Sequence, residues 1–320
     1  MIYTVTANPS LDHWMELDQF QMGRTNRCQK STLMAGGKGL NVTQVLHNLH
    51  MDSMALGFVA GFVGDEIVRQ VEKSGCLCRL IRLTEGCSRI NVKLQCTLND
   101  REETILGYGG EYDTTELNTA GPQIPADAMA ALMEQLEQLE SGDYLVLAGS
   151  VPSGASSALY ADWMARLYGK DISVVVDASG ETLLRTLSYH PFLVKPNHHE
   201  LGELFGVTIN GIEKAIFYGK QLQAHGARNV LVSMSKDGAV LCCENGAVYT
   251  QAAAKGETVV NDVGAGDSMI AGFLTGWIRT GDYRKALRYG AATGAATAFS
   301  KGLATKQEVE RILAELEECA

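Results

Sequence analysis

The sequence predicts an α/β fold in which a doubly wound, mostly parallel sheet is flanked by helices. Short segments rich in β-branched residues alternate with longer amphipathic segments, which is the pattern of consecutive βαβ units. Several short segments are nearly continuous apolar runs, as expected for strands that are covered on both faces. These strands are expected at residues 2–7, 143–149, 173–179, 192–197 and 229–235.

The longer segments predict helices because their apolar residues recur at helical spacing. In residues 125–140, for example, Pro125 suits the start of a helix, and the apolar residues from Met129 to Leu139 share one face. The predicted helices are residues 38–50, 65–74, 125–140, 155–168, 211–225, 267–279, 283–298 and 305–318.

Two segments interrupt this alternation. Residues 13–34 and about 87–108 have the pattern of strand, turn and strand without a helix. We expect them to form a small antiparallel β lid on the main sheet. The sequence contains no repeat and no flexible linker, so residues 1–320 are expected to form a single domain that includes the lid.

The composition narrows the functional classes. Hydrophobic residues make up 46% and charged residues 20% of the chain, as in ordinary globular proteins. A net charge of −10 argues against nucleic acid as a partner, because phosphate backbones are bound by basic surfaces. The stretch SMIAGFLTGWI has 11 residues, whereas a membrane span needs about 20. With no signal-peptide pattern at the N-terminus, we expect a cytoplasmic protein that does not contact membranes.

The stretch VNDVGAGDSMIAGF, residues 260–273, places glycines just before a predicted helix. Met269 stands where a dinucleotide-binding motif needs its third glycine, which argues against a nicotinamide-dependent oxidoreductase. Gly264 and Gly266 allow a tight turn, and the positive end of the helix would add to an anion site. Asp267 is then either an ordinary acidic residue at a helix start or a base for phosphoryl transfer beside that site.

A second glycine cluster opens the stretch AGGKGLNVTQVLHNL, residues 35–49. Gly36 and Gly37 could bring the backbone and the Asn41 amide close to a polar ligand, or they could simply form a turn between strand and helix. Gly39 follows Lys38 where a Walker-type phosphate loop needs serine or threonine, so that motif is absent.

Taken together, these motifs resemble the signatures of the PfkB (ribokinase-like) family of carbohydrate kinases. The matching segments are Gly36 to Asn41 and Asp262 to Ser268, with Asn197 and Glu200 between them as the family's N-x-x-E. The resemblance covers essentially the whole chain, with the motifs in the family's order. Further stretches, TANPSLD, SRINVK, LAGSVPSG and DASGE, are similar to the branch that contains 1-phosphofructokinases and tagatose-6-phosphate kinases.

The resemblance implies a ribokinase-like fold and a kinase that uses ATP and Mg²⁺ to phosphorylate a sugar monophosphate. Fructose 1-phosphate, phosphorylated on its 6-hydroxyl, is the expected substrate. Tagatose 6-phosphate is the alternative, and a non-catalytic phosphosugar sensor on the same fold is a third possibility. Because family members commonly pair through their lids, the resemblance also implies a homodimer.

The resemblance further assigns roles to individual residues. Asp267 would be the catalytic base, and Gly264, Ala265 and Gly266 would form the anion hole. Glu200 would bind the metal through water. The substrate-binding residues would be Asp12, Arg27, Gly37, Lys38, Asn41 and Arg89, and the ATP-binding residues would be Lys195, Asn197, Ser233, Gly238 and Gly266.

Two of these assignments also rest on chemistry. Arg27 and Arg89 can present guanidinium donors to the phosphate of the sugar, or they can be ordinary surface charges. Lys38 and Lys93 are further, weaker candidates for the same role. Asp262 has no assigned role. As an extra carboxylate close to the phosphates, it could repel them or bind a cation.

Overall fold

The computed structural model describes residues 1–96, 113–152, 154–254, 259–260 and 263–318. The strands in chain order are β1 (Ile2–Thr6), β2 (Ser10–Leu17), β3 (Lys30–Gly36), β4 (Ser53–Ala60), β5 (Leu77–Leu83), β6 (Arg89–Cys96), β7 (Asp113–Asn118), β8 (Tyr144–Ala148), β9 (Ser173–Asp177), β10 (Leu193–Val194), β11 (Asn229–Ser233), β12 (Ala239–Cys242) and β13 (Val248–Gln251). The helices are α1 (Lys38–Asn48), α2 (Gly61–Lys73), α3 (Ala126–Glu137), α4 (Leu159–Leu167), α5 (Gly180–Thr186), α6 (His198–Phe205), α7 (Ile212–Ala224), α8 (Ala265–Thr280), α9 (Tyr283–Ala298) and α10 (Lys306–Glu318).

Within the described residues, the main sheet has nine strands in the order β13-β12-β11-β10-β9-β8-β1-β4-β5. The pairings from β11 through β10, β9, β8, β1 and β4 to β5 are parallel, and only β12 and β13 add antiparallel pairings at one edge. The predicted doubly wound, mostly parallel sheet is therefore confirmed.

Helices cover both faces of this sheet, and strand β8 shows how. Leu145 and Leu147 join the apolar cluster that includes α3, α4 and α7, whereas Val146 and Ala148 join the cluster that includes α1, α8 and α9. Successive side chains of a strand point to opposite faces, so a strand buried between two helical layers must be apolar at every position. That requirement explains the continuous apolar runs in the sequence.

The four remaining strands form a separate sheet in the order β3-β2-β6-β7, which is the predicted lid. β2 and β3 pair antiparallel, as do β6 and β7, while a parallel pairing of β2 with β6 joins the two halves. The lid begins at Ser10, three residues before the predicted boundary, and residues 97–108 of its predicted second segment lie outside the described residues. Strand β7 lies beyond the end of that predicted segment.

The chain passes from the main sheet to the lid between β1 and β2, and it returns at Gly36 and Gly37 into α1. The C-terminal ends of β1, β8 and β9 lie side by side in the parallel sheet. In open α/β sheets, ligands bind in the crevice beyond this edge. The ligand crevice is therefore expected at the junction between the two sheets.

Candidate active site

The first turn of α8 has the geometry of an anion site. Gly264 precedes it in the left-handed conformation, with φ 81°, and no side chain caps the helix. Ala265 and Gly266 are the first two helical residues, so their N–H groups belong to the uncapped first turn. A Cβ atom at Gly266 would lie 3.1 Å from Lys195 Nζ, which places an ammonium group directly beside this turn. Backbone donors, the helix dipole and a lysine therefore converge on one point.

Asp267, the third residue of α8, does not cap its own helix. Its Oδ2 atom instead accepts a hydrogen bond of 2.8 Å from Asn41 Nδ2 on α1, and the residue is only 5% exposed. Burial, followed by the charge of Asp177, raises the pKa of Asp267 to about 6, although Asn41, Lys38 and Lys195 act in the opposite direction. A carboxyl group of this pKa is suited to accept a proton near neutral pH.

Asp177 lies at the end of β9 and joins two lysines at the same place. Its Oδ2 is 3.3 Å from Lys38 Nζ, and its Oδ1 is 3.4 Å from Lys195 Nζ. Burial favours a raised pKa for Asp177, but the two ammonium groups outweigh it and the pKa is lowered. Burial likewise favours a lowered pKa for Lys38, but Asp177, Asp267 and Glu200 outweigh it and the pKa is raised. The site thus holds two charged ammonium groups close to the first turn of α8.

Asn197 and Glu200 form a capping box at the start of α6. Asn197 Oδ1 accepts the Glu200 N–H at 2.8 Å, and Glu200 Oε2 accepts the Asn197 N–H at 2.8 Å. No cluster of three metal-ligating His, Cys, Asp or Glu residues occurs in the part of the chain that the structure describes. Mg²⁺ often needs only one or two carboxylates, with phosphates and water completing its shell. Glu200 therefore fits a Mg²⁺ ion that is held mainly by a nucleotide.

Ser233 and Gly238 stand on either side of a short 3₁₀ turn after β11. Ser233 forms an isolated parallel bridge with Asn197, so it lies next to the capping box. Gly238 has φ 93°, and a Cβ atom there would lie 2.0 Å from Gln251 O. The backbone itself thus requires glycine at position 238, and a contact of Gly238 with ATP stays a prediction.

A cavity of about 430 Å³ lies between the main sheet and the lid. Its lining includes Asn8, Gly37, Lys38, Arg89, Ser150 and Glu200. A larger cleft of about 650 Å³ adjoins α6 and is lined by His198, Glu203 and Asp237, among others. Lys38, Lys195 and the glycines of the two motifs do not line that cleft, whereas Gly37 and Lys38 line the smaller cavity. The smaller cavity is therefore the better candidate for the reaction.

Arg89 enters the smaller cavity from the first position of β6. Its Nε donates to Asn8 O at 3.1 Å and its Nη1 donates to Asn118 Oδ1 at 2.9 Å. Burial lowers the pKa of Arg89, while the charges of Asp12 and Glu116 oppose that shift. Both of these acceptors are neutral groups, so the guanidinium charge remains suited to a phosphate.

Asp12 lies against Gly36, beside the lining residue Gly37. Its Oδ1 accepts the Ser10 hydroxyl at 2.6 Å, and its Oδ2 is 3.1 Å from Lys93 Nζ. A Cβ atom at Gly36 would lie 2.5 Å from Asp12 Oδ1, so glycine there makes room for the carboxylate. Arg27, in contrast, is exposed between β2 and β3 and lines neither described cavity, so the structure does not bring this predicted residue to the site.

The structure therefore gathers most of the predicted residues around one junction, and it adds others. Asp177, to which no role was assigned, is buried at ion-pair distance from Lys38 and Lys195. Lys93, a weaker candidate for the sugar phosphate, is buried 3.1 Å from Asp12. Asp262 lies outside the described residues.

Comparison with known proteins agrees with this geometry. The profile of the pfkB family carbohydrate kinases matches residues 5–310. The chain belongs to this family, a class of enzymes that transfer a phosphoryl group to a sugar hydroxyl.

Individual relatives cover nearly the whole chain. A 1-phosphofructokinase of Bacillus subtilis is 42% identical over 99% of this chain and 98% of its own length. A D-tagatose-1-phosphate kinase of Bacillus licheniformis is 33% identical over 99% of each chain. A crystal structure of a candidate phosphofructokinase from Staphylococcus aureus superposes with a TM-score of 0.82 at 37% identity, covering 98% of this chain and 97% of that one. The predicted family and fold are confirmed.

Proposed function

We propose that this enzyme transfers the γ-phosphoryl group of ATP to the 6-hydroxyl of fructose 1-phosphate, which yields fructose 1,6-bisphosphate and ADP. The observation that carries the proposal is the buried carboxyl group of Asp267 at the uncapped first turn of α8, next to Lys195. A 1-phosphofructokinase is 42% identical to the chain, which supports the choice of sugar.

The catalytic step needs a base and a place for negative charge. Asp267 would take the proton of the 6-hydroxyl while that oxygen forms a bond to the γ-phosphorus. The bond from the γ-phosphorus to the bridging oxygen breaks, and its electron pair leaves with ADP. The N–H groups of Gly264, Ala265 and Gly266, together with Lys195 and Lys38, would stabilise the charge on the transferred group.

Substrate positions follow from the same geometry. Asn41 orients Asp267 through its hydrogen bond, and with Asp12 and Gly37 it would hold the sugar hydroxyls. Arg89 would bind the existing phosphate. Asn197, Ser233 and Gly238 would contact the nucleotide. Glu200 would hold Mg²⁺ through water, and the ion would neutralise charge on the nucleotide phosphates.

The alternative substrate carries its phosphate at the other end. Tagatose 6-phosphate would require the reacting hydroxyl and the phosphate to exchange places in the cavity. The names of the 1-phosphofructokinase and the D-tagatose-1-phosphate kinase both refer to a ketose phosphorylated on carbon 1. This shared feature supports fructose 1-phosphate, and it makes tagatose 1-phosphate a natural competitor. A non-catalytic sensor is disfavoured because the base, the anion hole and the capping-box residues are all present.

A coupled ADP-release assay tests the proposal. The panel contains fructose 1-phosphate, tagatose 1-phosphate, tagatose 6-phosphate, fructose 6-phosphate and unphosphorylated fructose. We expect the highest kcat/KM with fructose 1-phosphate. Preference for unphosphorylated fructose would contradict the role of Arg89, and no turnover with any sugar would leave the sensor as the better explanation.

We also propose that the protein acts in the cytoplasm as a homodimer whose subunits, each a single domain, meet through the lids. No helix of the described residues is long and apolar enough to cross a membrane. Leu33 and Leu117 are 45% and 56% exposed and lie in one row of the lid with His13 and Val92. Light scattering after gel filtration should give twice the chain mass, and Leu33→Lys should shift it to the monomer. A monomeric wild-type protein would contradict the proposal.

A further inference from the structure

One lysine of the lid is buried at a position to which the family signatures assign no role. Lys93, on β6, is only 3% exposed. Its Nζ atom is 3.1 Å from Asp12 Oδ2 and 3.4 Å from Glu116 Oε1, and it lies 5.0 Å above the ring of Trp14. An ammonium group is removed from water only at a high cost, so these contacts must compensate for lost hydration.

The strand register explains why these groups meet. Lys93 lies directly opposite Trp14 on β2 and opposite Glu116 on β7. Asp12 lies two residues before Trp14, so it shares the same face and reaches Lys93 diagonally. Lys93 therefore connects three strands across the parallel pairing that joins the two halves of the lid.

Lys93 differs from Arg89 on the same strand. The two are four residues apart, so they also share a face. Arg89 donates hydrogen bonds to a carbonyl and a carboxamide, whereas Lys93 faces two carboxylates at ion-pair distance. An ammonium group whose charge is already balanced by two carboxylates attracts a phosphate only weakly. Lys93 is therefore a poor phosphate ligand, and a different role is needed for it.

We propose that Lys93 is a positioning residue for the sugar and that it acts through Asp12. This inference rests on the proposed function, in which Asp12 holds the sugar hydroxyls. The ammonium group draws Oδ2 toward β6 while Ser10 holds Oδ1, so the carboxylate keeps one orientation beside Gly36.

The loss of Lys93 would act on Asp12 in two ways. The buried carboxylate would lose its nearest cation, and the negative charge of Glu116 on the neighbouring strand would no longer be offset. Asp12 would then turn away or bind the sugar hydroxyls poorly. The nucleotide site, at the ends of β10 and β11, would be unaffected.

A double-mutant cycle tests this inference. Lys93→Met should raise the KM for fructose 1-phosphate about tenfold or more and leave the KM for ATP unchanged, because the lost coupling concerns only the sugar. In the Asp12→Asn background, the same substitution should change the sugar KM by less than about twofold, since the group through which Lys93 acts is already altered. Lys93→Arg should recover part of the loss because it keeps the charge.

The control is another lysine of the lid. Lys30 pairs with Glu16 at 3.2 Å on β3 and β2, but both side chains are largely exposed. Lys30→Met should leave both KM values unchanged, because exposed ion pairs contribute little. Equal rises in the KM for sugar and for ATP with Lys93→Met would indicate a general structural defect and overturn the inference.

Two outcomes remain separable even if the single variant does not fold. Asp12→Asn/Lys93→Met has no unpaired charge between these two positions, and it can be compared with Asp12→Asn alone. Equal sugar KM values support the inference, and a further rise of about tenfold overturns it. Failure of the proposed function looks different, because the wild-type enzyme would then not turn over fructose 1-phosphate at all.

Discussion

Asp267 and Asp12 are both buried carboxyl groups near the same cavity, but their surroundings differ. Asp267 accepts a hydrogen bond from the neutral amide of Asn41, and burial, followed by the charge of Asp177, raises the pKa of Asp267 to about 6. Asp12 instead forms an ion pair of 3.1 Å with Lys93 and accepts a hydrogen bond from Ser10.

The difference shows how partners determine the chemistry of one residue type. A carboxyl group with a raised pKa can hold a proton, which suits a base. A carboxylate fixed by an ammonium group is suited to accept hydrogen bonds from hydroxyl groups. In the proposed function, Asp267 therefore belongs to the chemical step and Asp12 to the binding step, and variants of the two residues test that division.

The largest effect is expected from Asp267→Asn. The amide cannot accept the proton of the sugar hydroxyl, so kcat should fall by about 10²–10⁴-fold. Steady-state ADP release measures the loss, and thermal unfolding checks that the variant is folded. Asp162→Asn, on the exposed side of α4, is the matched control and should retain the wild-type rate. A near-wild-type kcat for Asp267→Asn would remove it from the chemical step.

Arg89→Leu should act on binding of the phosphorylated sugar. We expect the KM for fructose 1-phosphate to rise by about 10- to 100-fold, as charge-assisted hydrogen bonds to phosphate are lost. The KM for ATP and the kcat/KM for unphosphorylated fructose should stay unchanged. A loss that is equal for fructose and fructose 1-phosphate would mean that Arg89 supports the lid rather than the phosphate.

The rate should depend on pH through Asp267. The base acts as the carboxylate, so kcat should be full well above pH 6 and should fall about tenfold per unit well below it. Asn41→Ala removes a hydrogen bond that lowers the pKa of Asp267, so the acidic limb of the profile should move to higher pH. Asp12→Asn should leave the acidic limb at the same pH. Movement of the limb in that variant would contradict its assignment to Asp267 alone.

The smallest effect is expected from Arg27→Ala. Its side chain is exposed and lies outside the described cavities, so both KM values should change by less than about twofold. A large rise in the sugar KM would show that Arg27 reaches a substrate from elsewhere, and measurement on a lid-disrupted monomer would then show whether it reaches a second subunit.

The sequence predicted the parts of the fold that repeat a regular pattern. The apolar strands at the centre of the sheet and the amphipathic helices were located to within a few residues, although α2 begins at Gly61 and α4 at Leu159 rather than at 65 and 155. Strands β4, β5, β7 and β13 and helices α5 and α6 were not predicted. β4 is apolar and buried along most of its length, so the pattern of a buried parallel strand is present there apart from Gly57, with φ 147°. β5 is a half-exposed edge strand with arginines, so it lacks that pattern.

The site was predictable to the extent that its residues form local motifs. Gly264 to Asp267 stand together in the chain, and their geometry follows from a turn and a helix start. Asp177 and Lys93 act through partners that are distant in sequence, and only the tertiary arrangement brings them within 3.4 Å and 3.1 Å of Lys195 and Asp12, respectively. The available signals were Asp177 at the end of a strand in DASGE and Lys93 between apolar residues in SRINVK. Neither pattern indicates which residue the side chain pairs with.

The capping box at α6 makes the two contributions of Glu200 separable. Oε2 closes a hydrogen-bonded loop that starts the helix, while the residue as a whole also lines the cavity. A glutamine can close the same loop through its carbonyl oxygen but carries no charge. Glu200→Gln should therefore fold as well as the wild type and yet require more Mg²⁺ for half-maximal rate. The Glu200→Gln substitution therefore separates the role of Glu200 in capping α6 from its proposed role in binding Mg²⁺.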